Sequence, residues 1–148
     1  MIKRSIITLS VCLVTAGCAG KDKPSPAELE AQAFDDLRSE MRVVISDSER
    51  RETAIGIANQ LEDSFEHLRA HLAERSQKVR ALNADYDAPK QDYLDLFSEI
   101  QQDTQRNQSH ISELHRQLLE VTTAQEWEDL KKLRNAAMEA TVASIQSG

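Results

Sequence analysis

A chain of 148 residues allows one domain, and four glycines and three prolines are too few for a turn-rich β fold. Aromatic residues make up 4% of the chain against 40% hydrophobic residues overall, so its core must come mainly from Leu, Ile, Val and Ala. Narrow apolar stripes on helices suit that supply; a deep substrate pocket does not. A net charge of −7 argues against nucleic acid as a partner, because phosphate contacts demand concentrated Lys and Arg.

The N-terminus carries the strongest signal. Lys3 and Arg4 precede a short apolar stretch, Ile6 to Val14, far below the ~20 residues that span a bilayer, which reads as a signal peptide. The run Thr15-Ala16-Gly17-Cys18 then resembles the lipobox of bacterial lipoproteins, with Thr15 standing where leucine is preferred. The resemblance implies cleavage after residues 1–17 and a diacylglycerol on Cys18, the lipidation site. The alternative is an ordinary secretory signal cleaved near Ala16, leaving Cys18 a free thiol. Cys12 lies inside the signal, so a lipidated mature chain has no thiol left for periplasmic oxidation. It also loses Lys3 and Arg4, two positive charges fewer than the full chain, and stands at −9. Several acyl chains, at ~0.8 kcal/mol per buried methylene, make such an anchor effectively permanent. Ala19 after the cysteine, by resemblance to enteric lipoproteins, implies sorting to the outer membrane. The expected location is thus the periplasmic face of a bacterial membrane, with the outer membrane favoured. Residues 18–27, with Gly20, Lys21-Asp22-Lys23, Pro24 and Pro26, read as a polar tether.

Residues 28–146 read as an all-α domain, an elongated antiparallel bundle of three or four helices dominated by one long hairpin. The first helix starts near Pro26 and runs to about Ile45, with Leu29, Ala33, Leu37, Met41 and Val44 as its stripe. Ser46 or Asp47 caps a second helix over 48–84, whose stripe is Ala54, Ala58, Leu61, Phe65, Leu68, Leu72, Arg75, Val79 and Leu82. Pro89 starts a third helix, with Tyr93, Phe97, Ile100, Thr104, Asn107, Ile111, Leu114, Leu118 and Val121 in line. Folding back across the turn at 85–87 pairs positions whose numbers sum to about 175, so Leu82 meets Tyr93 and Leu61 meets Leu114. Thr122 or Thr123 caps a last helix from Ala124 to about Ile145, with Trp127, Leu130, Leu133, Ala137, Thr141 and Ile145 inward. Trp127, the one tryptophan, is expected to fill the corner between the last two helices.

Few residues suggest chemistry. His67 and His71 stand at i and i+4, a spacing that can present two imidazoles to one metal, with Glu66 and Glu74 nearby; the alternative is a solvated face. His110 and His115 are five apart, roughly 140° around the helix, and form no such pair. Arg75, Thr104 and Asn107 place polar groups inside the stripes. They predict either a polar layer that fixes register or a concave surface left open for a partner. Ser112 near His115 has no orienting acid in view, and paired carboxylates would need a cleft that a narrow bundle lacks. No catalytic residue and no cofactor is expected, and an enzyme is not.

Val121-Thr122-Thr123-Ala124-Gln125 resembles the Leu-Thr-x-x-Gln motif of the Spy/CpxP-like periplasmic proteins, with valine in place of the leucine. That resemblance implies binding of unfolded or stress-signalling envelope proteins on a helical surface, without cofactor or turnover. The favoured expectation is a membrane-anchored binding module, an envelope-stress chaperone or modulator with a protein partner. The alternatives are a coiled-coil spacer that forms homo-oligomers, and a weak metal binder.

Overall fold

The computed structural model describes residues 23–147; Cys18, the lipobox and the first part of the tether lie outside the described residues. Ser25 starts the first helix: its Oγ accepts from the Glu28 N–H at 3.2 Å, and the Glu28 carboxylate accepts from the Ser25 N–H at 2.7 Å. This reciprocal cap and Pro26 launch α1 (Pro26–Val44). Asp47 caps α2 (Ser48–Ala84) by accepting from Arg50 N–H at 2.8 Å. Pro89, which has no N–H to leave unpaired, precedes α3 (Lys90–Val121). Thr123 and Glu126 exchange backbone-to-side-chain bonds of 3.2 and 2.8 Å and begin α4 (Ala124–Ser147). The chain is thus an all-α bundle of four helices, with no strand among the described residues.

The helices divide into a body and an arm. In the body, α1 lies antiparallel to both α4 and α2, and α3 returns along α2. Its core gathers Phe34, Leu37, Met41 and Ile45 from α1 and its end, Ala54, Ile57, Ala58, Leu61 and Phe65 from α2, Leu114 and Leu118 from α3, and Leu130 and Ala137 from α4. Phe34 and Phe65 meet near its centre with ring centroids 6.4 Å apart.

Ion pairs close both ends of this body. At one end Glu30, 2% exposed, accepts from Arg69 at 2.5 Å and from the Thr141 hydroxyl at 3.1 Å, tying α1, α2 and α4 together. At the other, Arg50 donates to Glu126 at 2.7 and 3.0 Å and to the Val121 carbonyl at 3.0 Å, clamping α2 onto the α3–α4 turn. Arg38 adds a bridge from α1 to Glu62 and Asn59 of α2.

Three expected stripes shift. On α1 the buried line is Glu30, Phe34, Leu37 and Met41, while Leu29 is 46% exposed and Ala33 half-buried. The larger Phe34 takes the inward place, and Glu30 can follow it inward because Arg69 neutralises it. On α3, Leu96 and Asp103 are buried where Phe97 and Thr104 were expected; Phe97 is 55% exposed and Thr104 bonds its own helix at the Ile100 carbonyl. On α2, Leu72 is exposed and Leu68, Val79 and Leu82 are only half-buried, because α1 and α4 end beside Leu68 and Leu72 and only α3 covers the stretch beyond. On α4, Leu130, Ala137 and Thr141 are buried as expected, joined by Glu126 and Ser144, with Trp127, Leu133 and Ile145 at the margin.

Candidate functional site

Past Arg69, α2 buries one residue, Arg75, and before Leu114 α3 buries two, Leu96 and Asp103. These segments form a two-helix arm that leaves the body beyond the ends of α1 and α4. Leu72 to Ala84 is 13 residues, so the arm extends ~20 Å at 1.5 Å per residue. The hairpin register is the one read from the stripes at its tip, where the Tyr93 hydroxyl donates to the Leu82 carbonyl at 2.8 Å.

Charge holds the middle of the arm. Arg75 and Asp103 are 6% and 9% exposed and hydrogen-bonded to each other, and Arg106 also donates to Asp103. His71 Nδ1 stands 3.9 Å from the same carboxylate. Two bare helices bury little apolar area, so the pairing of these opposite charges sets which residues face each other. Arg75 therefore belongs to a polar layer, but its partner is Asp103; Thr104 is exposed and Asn107 half-buried. Sequence reasoning missed Asp103 because its burial depends on an arginine 28 positions away.

The tip presents what a core would normally hide. Tyr86 in the turn is fully exposed, and Leu94 and Phe97, three apart and so on one face, are 51% and 55% exposed. Between residues 83 and 97 Asp85, Asp87, Asp92 and Asp95 face Lys90 as the one cation, so the apolar groups sit in a negative rim. At the base of the arm, Leu72, Ala73 and Ser76 meet Ile145 of α4 around an open hollow of about 610 Å³.

The expected metal pair, His67 and His71, lies exposed on successive turns of α2. Among the described residues no group of three or more His, Cys, Asp or Glu is placed to hold a metal ion. His110 is exposed, and His115 packs on Trp127 with ring centroids 5.3 Å apart, so Trp127 fills its corner with a histidine beside it. Among the described residues no helix is long and apolar enough to cross a membrane. Cys18 lies outside the described residues. No family model, no curated protein and no solved structure matches the chain.

Proposed function

We propose that this protein is a lipid-anchored module that binds another envelope protein through its two-helix arm, as a stress-related chaperone or modulator without turnover. The observation that carries the proposal is the exposure of Tyr86, Leu94 and Phe97 on an arm that the body does not need for its own core. A chain rarely leaves grouped large apolar side chains in water unless they meet something. The acidic rim gives the partner's chemistry: an apolar segment flanked by Lys or Arg. Two such tips repel each other, which favours a different protein over a second copy.

Placement adds to this reading. Glu30, in the first turns of α1, is bonded to Arg69 where the arm departs, so the chain enters the body at the arm's end. With an anchor on Cys18, residues 19–25 reach at most ~25 Å when extended at about 3.5 Å per residue. The arm projects a similar distance beyond the end of the body at which α1 begins. An anchor on Cys18 would then hold that end of the body within the tether's reach of the membrane, which favours a partner at the membrane surface.

The test is aggregation of reduced, denatured lysozyme, a basic client, in the presence of the helical domain. Equimolar domain is expected to slow aggregation, and a Tyr86→Ser, Leu94→Gln, Phe97→Gln variant to lose that effect while keeping its helix content. An unchanged effect in the variant would remove the arm from the reading. Concentration-dependent assembly of the domain by light scattering, with no effect on the client, would favour the spacer.

A further inference from the structure

A second feature lies inside the body and owes nothing to the arm. Although Thr122 and Thr123 join them directly, α3 and α4 pack less closely than α1 does against α4 or α2 against α3. Between them a cavity of about 140 Å³ reaches the centre of the bundle, walled by Phe34, Leu37, Leu61, Ile111 and Leu118. A cavity on the order of 150 Å³ has room for a molecule the size of benzene.

One charged group stands at its mouth. Arg134 lines the cavity and lies half-buried, yet among the described residues no carboxylate comes within salt-bridge distance of it. Arg38, Arg50, Arg69 and Arg75, also at helix interfaces, each hold an Asp or Glu. Arg134 has instead one hydrogen bond, to the Trp127 carbonyl at 3.3 Å, and its guanidinium lies 3.6 Å over the Trp127 ring. Burial lowers its pKa, and the field of Glu128 only partly opposes this. The ring holds the guanidinium in place, and with one donor on the Trp127 carbonyl the other donors of its fork are free for a planar anion. His115, its ring centroid 5.3 Å from that of Trp127, also lines the cavity and supplies a second polar group.

We infer that the α3–α4 seam binds a small organic monocarboxylate, its compact apolar body in the cavity and its carboxylate on the Arg134 fork. A carboxylate fits the planar two-donor edge, and a single charge matches the single unpaired cation. A phosphate would bring a second negative charge into a chain that is already acidic, with no second Lys or Arg lining the cavity.

The helical domain, residues 23–147, builds its core from its own side chains and is suitable for the test. Trp127, the one tryptophan, touches both Arg134 and His115, so its fluorescence reports the site. Benzoate is the probe. It is expected to give a saturable change, with acetate, which lacks the body, and benzyl alcohol, which lacks the charge, each weaker by about tenfold or more. Arg134→Gln should weaken benzoate by about tenfold while leaving benzyl alcohol unchanged, and Arg134→Lys should fall between, since it keeps charge without the fork. Ala137→Leu, which puts a larger side chain into the cavity wall, should abolish benzoate binding. No saturable change up to ~10 mM benzoate, acetate binding as well as benzoate, or an Arg134→Gln domain that binds benzoate normally would each overturn the inference.

Discussion

Phe34 is the side chain on which the body most depends. It is 1% exposed, meets Phe65, and lines the wall where all four helices converge. Phe34→Ala should cost about 3–5 kcal/mol in urea unfolding, whereas Leu94→Ala on the arm should cost under about 0.5 kcal/mol. Glu126 makes a pH prediction. The Arg50 guanidinium, with the Thr123 N–H, holds its carboxyl at about 2, below the usual carboxylate range. A carboxyl depressed in the fold stabilises it at pH values above its unfolded pKa, and that contribution fades as pH falls through the folded value. Stability should therefore decline from about pH 4.5 toward 2, and Glu126→Gln should flatten that slope. Glu113 is held at about 2 by Arg116 too, but on an exposed face where solvent screens the pair, so it leaves only a smaller residual slope.

At the scale of elements, helix limits were readable because they rest on local chemistry: the α2 cap at Asp47, the Pro89 start of α3 and the Thr123–Glu126 box all follow from neighbours in sequence. The hairpin register was readable at the tip, where Tyr93 meets Leu82, but at mid-arm Arg75 pairs with Asp103 and not with Ile100 as the stripes imply. Which residue of a crowded apolar stretch faces inward was not readable. Leu94, Leu96 and Phe97 stand almost together, and periodicity cannot choose among them; Leu96 wins because the Arg75–Asp103 pair sets the rotation of α3. Glu30 and Asp103 escaped notice for one reason, that a buried acid is intelligible only beside a distant arginine. The arm's dependence on its charge layer is open to experiment. Asp103→Leu leaves Arg75 without its partner and should cost about 3 kcal/mol, read as faster hydrogen exchange in the arm, while Arg75→Met with Asp103→Leu restores most of the loss. Gly56, inside α2, would meet nothing within 4 Å if it carried a Cβ. Gly56→Ala should accordingly add about 0.5–1 kcal/mol to thermal stability.

The whole molecule is a four-helix body with the end of the long α2–α3 hairpin standing out of it, and the two parts differ in what they bury. The body closes a continuous apolar core; the arm encloses an ion pair and leaves Tyr86, Leu94 and Phe97 in water. That division was only partly legible in the sequence: the stripes of α2 and α3 continue past the point where α1 and α4 end, and only Arg75, Thr104 and Asn107 interrupt them. The central claim, that the arm is the binding surface, is tested most directly by hydrogen exchange on the helical domain with and without denatured lysozyme. Amides of the body, around Met41, Ala58 and Leu130, should exchange slowly in both cases, and those between residues 76 and 102 should exchange quickly alone and slow down with the client. Slowing confined to the body, or none anywhere while aggregation is still suppressed, would contradict the account.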